Sequence, residues 1–288
     1  MSDLRKIINE ALKEKRPTLS DSSARTYTSL LFSMYNNLEG KGGLDFFKEH
    51  TKIIKYIKGL EKAQTRKTIL SSLFVLTGLD EYKENMMEDI KEVNNFYKEQ
   101  KHNPERQAKL KTYEEVVAIH NALKAKYKAK PINDNAVDLL VSYLFSGALE
   151  KALPPRRLMD YATMKIKNYT DKDNYIKGNK MYFNNYKTKD AYGTQTVDIP
   201  KELVLLINKW KKVNDSDYLL VSEDDKPFTV SGLGKKVSRL FDDNSCDMLR
   251  SIFLTHYYKD IPKLKEMEDI ATKMGNSVNA QLNYYVKK

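Results

Sequence analysis

Met274-Gly275-Asn276-Ser277-Val278 runs on to Tyr284-Tyr285 near the end of this 288-residue chain, and the reading of the whole starts there. About one short helix separates the Gly-Asn turn from the tyrosine pair. Upstream, Leu249-Arg250 opens the helix-like run LRSIFLTHYY (249–258), and Arg157 sits in PPRRLMDY (154–161). Arginine's planar fork matches a phosphate bidentately and stays charged. Tyrosine serves as a covalent nucleophile once its phenol, with an ordinary pKa near 10, loses its proton. Metal-dependent nucleases instead cluster carboxylates. Here the acidic residues are scattered, with no D-x-D, H-x-x-x-H or paired-carboxylate motif.

The net charge is +11 with a sequence pI near 9.3, a balance that favours a polyanionic partner. Residues 1–108 hold 19 Lys+Arg against 16 Asp+Glu, a net of +3, which leaves +8 for residues 109–288. Most of the excess thus falls beside the residues quoted above. A single cysteine, Cys246, excludes a disulfide framework and a Cys-based zinc site. No apolar run approaches the ~20 residues of a membrane span, and MSDLRKIINE lacks an apolar signal core. The expectation is an intracellular, soluble protein that is not secreted and has no membrane partner.

The first hundred residues carry helical periodicity in four segments. Ser22 or Ser23 is placed to cap the first, with Ala24, Tyr27, Leu30, Leu31, Met34 and Tyr35 on one face. Gly40, Gly42 and Gly43 stop it. Ile53, Ile54, Ile57 and Leu60 mark the second, which ends near Gly59, and Ile69 to Leu76 the third, which ends at Gly78. The fourth runs from Glu81 to Lys98. These make a helical bundle over 1–98. The polar stretch KEQKHNPERQAK contains Pro104 and supplies a linker at 99–108. A second domain, 109–288, opens on a Thr112-x-x-Glu115 capping box. A helix follows over Asn135–Phe145. YATMKIKNYT, NYIKGNKMYFNNYK and GTQTVDIP then alternate apolar and β-branched residues, which predicts a three-stranded antiparallel sheet. Helices return at ELVLLINKW, Leu233–Phe241, Met248–Tyr258 and Met267–Met274. The fold class expected is mainly α with a small antiparallel sheet: an N-terminal helical bundle followed by an α+β domain.

The order of two arginines and a late tyrosine, within this layout, resembles the tyrosine recombinase (phage integrase) family. In that family the first catalytic arginine lies in R-x-x-E/D, and Arg157-Leu158-Met159-Asp160 fits; Arg156 fits less well. The family's catalytic lysine sits in the hairpin between the second and third strands, where Lys187 is the best match and Lys189 the runner-up. Family members read H-x-L-R at the second arginine. Here Asp247-Met248-Leu249-Arg250 keeps the arginine but replaces the basic residue by Asp247, which supplies no positive charge at neutral pH. His256 in the same run reads as a structural histidine. The third block reads L-G-H with the nucleophile nine residues on. Here it is Met274-Gly275-Asn276, and nine residues on is Tyr285 rather than Tyr284. Asn276 still donates a hydrogen bond to a phosphate oxygen.

The resemblance implies a site-specific recombinase, expected from a virus or mobile element, that cleaves and rejoins double-stranded DNA through a 3′-phosphotyrosyl link. Its implied set is Tyr285 as nucleophile, Arg157 and Arg250 as phosphate clamp, Lys187 as proton donor, and Asn276 and Asp247 beside them. It needs no cofactor and no metal, and acts as a homotetramer on DNA, a monomer or weak oligomer when free. It would lie wherever its target DNA lies, in nucleus or cytoplasm. Two alternatives stay open: a type IB topoisomerase-like relaxing enzyme, and a catalytically silent DNA-binding protein on the same scaffold.

Overall fold

A computed structural model describes residues 2–98, 107–222, 224–260 and 263–286. The chain divides into two compact units, Met1–Glu99 and Gln100–Lys288. Apart from its last two positions, the stretch 99–108 read as a linker lies outside the described residues.

The first unit is built from helices α1 (Ser2–Lys15), α2 (Asp21–Asn37), α3 (His50–Lys58), α4 (Ala63–Thr77) and α5 (Asp80–Lys98), with a 3₁₀ turn at Gly43–Lys48. Among the described residues five helices form where the pattern announced four. The extra one is α1, which buries Ile8 and Leu12 completely although the segment is highly charged. The cap of α2 is Ser20, whose Oγ accepts from Ser23 N at 3.2 Å, rather than Ser22 or Ser23. Gly78 ends α4 in the left-handed region at φ +75°, which only glycine adopts without strain. Phe46, Phe47, Ile53, Leu73 and Tyr82 fill the core, and Tyr82 donates to Phe47 O at 2.7 Å.

The second unit has its own core around α7 (Asn133–Phe145), buried at every position from Asn135 onward. Helix α6 (Tyr113–Ala129) pairs with it and starts on the full capping box: Thr112 Oγ1 accepts from Glu115 N, and Glu115 Oε2 accepts from Thr112 N at 2.7 Å. Between them His120 is buried, with Nδ1 2.9 Å from Ser142 Oγ. Ser142 Oγ in turn donates to Leu139 O, so the ring donates to it.

After the short helix α8 (Leu158–Ala162) comes a sheet in the order β1 (Tyr175–Lys177), β2 (Lys180–Phe183), β3 (Gln195–Asp198), all antiparallel. It turns Ile176, Met181, Phe183 and Val197 inward. The three-stranded antiparallel sheet forms, but from two runs instead of three. NYIKGNKMYFNNYK folds on itself through the two-residue turn Gly178-Asn179, pairing Lys177 with Lys180. YATMKIKNYT contributes no strand. Its first residues end α8, and Lys165 makes only isolated bridges to Tyr175 and Tyr218. Helix α9 (Lys189–Tyr192) lies in the β2–β3 connection. Then follow α10 (Lys201–Val213), α11 (Val230–Leu240), α12 (Cys246–Tyr257), α13 (Leu264–Lys273) and α14 (Val278–Ala280), the last continuing as a π turn over Gln281–Tyr285. No helix among the described residues is long and apolar enough to cross a membrane.

Candidate active site

The Gly-Asn turn at the end of α13 is a Schellman closure. Gly275, at φ +65°, donates from its N–H to Thr272 O at 3.0 Å, and Asn276 N donates to Ala271 O at 2.9 Å. This closure leaves the Gly275 carbonyl outward and carries the Asn276 side chain into the unit, where it is buried. Two groups reach the Gly275 carbonyl. Arg157 Nη1 donates to it at 2.8 Å and Thr188 Oγ1 at 2.9 Å. One backbone oxygen thereby ties the arginine before α8 and the β2–β3 connection to the same turn.

Pro154 and Pro155 hold the chain extended ahead of α8, and successive side chains of extended chain point to opposite sides. The two neighbouring arginines therefore separate. Arg156 goes inward and is fully buried. Its Nε donates to Asp160 Oδ2 at 2.8 Å, its Nη1 to Gln195 Oε1 and Lys273 O, and its guanidinium lies over the Phe183 ring. Arg157 stays half-buried at the mouth of the turn. Burial pushes the Asp160 carboxyl above its ordinary range, opposed by Arg156, Arg157 and Arg250, so all three guanidinium groups lie within electrostatic reach of one carboxyl.

Arg250 enters from α12, which Ser245 caps through Met248 N. It is wholly buried (0% exposed), yet its charge is weakly compensated. Its ion pair with Asp247 is long, 3.8 Å, and the Asp247 side chain is 70% exposed. Among the described residues Nε has no hydrogen-bond partner. Because arginine only donates, the Asn276 carboxamide turns its oxygen to Arg250 Nη2 at 3.0 Å and its nitrogen to Ala271 O. Arg250 Nη1 donates to the Tyr285 hydroxyl at 2.6 Å, and the guanidinium carbon lies 4.3 Å from the centre of that ring. A buried guanidinium with an open donor and a distant carboxylate is a site for an anion.

Tyr285 is presented by the π turn. Ser277 caps α14 by accepting from Ala280 N, and Ser251 Oγ donates to Tyr285 O at 2.6 Å. Such wide turns recur at functional sites because they re-aim one side chain. Tyr284, next in sequence, points elsewhere and is 47% exposed. Lys187 is exposed in the β2–β3 connection, one residue from Thr188. Tyr186 closes the base of that connection by donating to Gly193 O at 2.7 Å. His256 stacks on Tyr113 with ring centres 3.8 Å apart and lies 3.8 Å from the Glu114 carboxylate, in a packing role.

Arg157, Arg250, Asn276 and Tyr285 thus meet around the Gly275 turn, Asp247 touches the edge through Arg250, and Lys187 reaches it only through its neighbour Thr188. Sequence reasoning passed over three contributors. Gly275 O and Thr188 had no side-chain signature, whereas Ser251 stood beside Arg250 in plain view. Among the described residues no group of three or more His, Cys, Asp or Glu is arranged to hold a metal ion.

No protein-family model matches the sequence, and no curated protein matches it either. In fold the chain is similar to lambda integrase. Against the structure of a lambda integrase(75-356) dimer bound to a COC′ core site it has 15% identity and a TM-score of 0.55, covering 98% of this chain and 93% of that one. Against a lambda integrase tetramer bound to a Holliday junction the values are 14% and 0.53, covering 96% and 74%. A further lambda integrase dimer on a COC′ core site gives 13% and 0.54, covering 98% and 75%.

Proposed function

We propose that this protein is a tyrosine recombinase that cleaves and rejoins double-stranded DNA, with unit 1 as a DNA-binding domain and unit 2 as the catalytic domain. The observation that carries the reading is the 2.6 Å hydrogen bond from the buried Arg250 to the Tyr285 hydroxyl. It sets a nucleophile of the right type against a guanidinium whose charge is only weakly compensated. The fold likeness to lambda integrase, whose structures hold DNA, supports the same reading.

In the proposed reaction the Tyr285 phenol gives up its proton to solvent water and its oxygen attacks the scissile phosphorus. The bond from phosphorus to the 5′ oxygen breaks, and Lys187 supplies the proton that this oxygen takes up. A 3′-phosphotyrosyl link and a free 5′-hydroxyl result. Arg157 and Arg250 bear on the non-bridging oxygens, where charge develops in the transition state, and Asn276 fixes Arg250. Because the phosphoester bond is exchanged and not hydrolysed, the reverse step rejoins DNA without a nucleotide. The biological setting we propose is integration by a virus or mobile element, with a homotetramer acting on two duplexes.

DNA binding without cleavage is the second reading, and Asp247 is what favours it: a carboxylate 3.8 Å from Arg250 weakens the pull on a phosphate. The test begins by selecting bound duplexes from a random-sequence pool. These are then supplied nicked, so that cleavage cannot be reversed, and in closed-circular form. Covalent adducts and joints between two duplexes support a recombinase. Relaxation of supercoils without joints points to a topoisomerase, and binding with no adduct to the silent scaffold.

A further inference from the structure

Behind Arg250 runs a chain of buried polar groups, through Asn276 and Gln281 to Tyr258, whose last two members the proposed chemistry does not use. Helix α12 supplies both ends, Arg250 and, just past its last turn, Tyr258. The segment after α13 supplies the middle, Asn276 and Gln281. The Gln281 side chain is wholly buried. Its carboxamide lies against the Tyr258 hydroxyl on one side and 3.0 Å from the Asn276 carboxamide on the other. Burial also raises the Tyr258 phenol above its ordinary pKa, so the hydroxyl stays protonated.

The chemistry of these groups leaves one consistent polarity. Arg250 has donors only, so Asn276 must present its oxygen there. The Asn276 nitrogen then faces Gln281, so the Gln281 carboxamide is turned as well, its oxygen to Asn276 and its nitrogen to the Tyr258 hydroxyl in place of the bond in which that hydroxyl donates to Gln281. An apolar side chain at position 281 leaves the Asn276 nitrogen with Ala271 O alone and frees the amide to rotate. Gln281 is also the first residue of the π turn, and its carbonyl accepts from Val286 N at 2.9 Å. The same residue therefore orients Asn276 through its side chain and starts the turn that presents Tyr285 through its backbone.

We propose that Gln281 is a positioning residue: its carboxamide locks Asn276 toward Arg250 and so holds the guanidinium and the Tyr285 hydroxyl in register. The inference rests on the recombinase reading. It is tested with the full chain on a selected, nicked duplex, measuring adduct rate, DNA affinity and melting temperature together.

Gln281→Met keeps the shape and loses the hydrogen bonds. Its adduct rate is expected to fall about a hundredfold, the size associated with an ångström-scale misplacement, with DNA affinity unchanged. Gln281→Glu keeps the acceptor toward Asn276 and offers a second to the Tyr258 hydroxyl, which then donates, and should recover at least about a tenth of the wild-type rate, an order of magnitude above the Met variant. If Gln281→Met does not fold, Tyr258→Phe replaces it, removing only the far end of these groups, and should slow adduct formation with affinity intact. A wild-type rate in Gln281→Met, or in Tyr258→Phe where that variant stands in, overturns the inference alone, as does a Glu variant no faster than Met. A wild-type chain that binds but forms no adduct overturns the recombinase reading, and the inference falls with it.

Discussion

Arg156 and Arg157 are neighbours in sequence and opposites in electrostatics. Arg156 is buried against Asp160 with hydrogen bonds to Gln195 and Lys273, so its charge is spent inside the protein. Arg157 and Arg250 donate to neutral oxygens, those of Gly275 and Tyr285, and keep their charge for an incoming anion. Replacing either by lysine retains the charge and loses the fork. Arg157→Lys and Arg250→Lys should each cut the adduct rate at least about a hundredfold while DNA affinity changes only a few-fold, about 3 kcal/mol confined to the transition state. Paired measurements of adduct rate and affinity check this, and an equal loss in both would assign the arginines to binding alone. Asp247 works in the other direction. Its carboxylate draws on Arg250 from 3.8 Å, so Asp247→His, which removes the negative charge, should raise the adduct rate on the same nicked duplex. A slower variant would show that the carboxylate holds Arg250 in place.

At the scale of elements, the turn after α13 decides the geometry. Gly275 is left-handed, and a Cβ added there would meet Arg156 Nη2 at 2.7 Å. Gly275→Ala should therefore cost about 1–3 kcal/mol in backbone strain and push Arg156 against Asp160. Melting curves should show the loss, with a slower adduct rate because the Gly275 carbonyl anchors Arg157. The α6–α7 pair carries a pH response. Burial lowers the His120 imidazole from its ordinary value near 6.5 to about 4. The unfolded chain thus takes up a proton below pH 6.5 that the folded chain refuses down to about pH 4. Stability is complete above that window and falls as the pH drops through it, by roughly 2 kcal/mol between pH 7.5 and pH 5. Denaturant titrations of wild type and His120→Gln at the two pH values check this, since the variant lacks that contribution. Much of this level was legible in the sequence because its signals are local: the capping box at Thr112 and the stop at Gly78. The sheet was less so. Alternation marks apolar runs but does not say that Gly178-Asn179 folds one run into two strands. Helix α1 hid its buried Ile8 and Leu12 among charges, and Gln281 gains its meaning only from Tyr258, which another element brings to it.

For the whole molecule, the excess of positive charge is a statement about its partner. A protein carrying +11 that grips DNA through phosphates releases condensed counterions, so its affinity falls steeply with salt. If six to ten phosphates are neutralised, the observed binding constant should drop about 10³–10⁵-fold between 50 mM and 200 mM salt. Fluorescence anisotropy on a selected duplex measures it, and a nearly flat response would remove DNA phosphates as the main contact. The chain divides into two units, Met1–Glu99 and Gln100–Lys288, each with a core of its own. Two findings meet at this scale: a fold similar to lambda integrase, and a buried arginine hydrogen-bonded to a tyrosine close to the end of the sequence. The most direct test of their joint meaning is to digest the covalent complex formed on a selected, nicked duplex and identify the modified peptide and the DNA end it holds. The expected result is a 3′-phosphate ester on Tyr285, a free 5′-hydroxyl on the released strand, and no adduct in Tyr285→Phe. A link through Tyr284 or any other residue, a 5′-linked adduct, or an adduct that survives in Tyr285→Phe would contradict it.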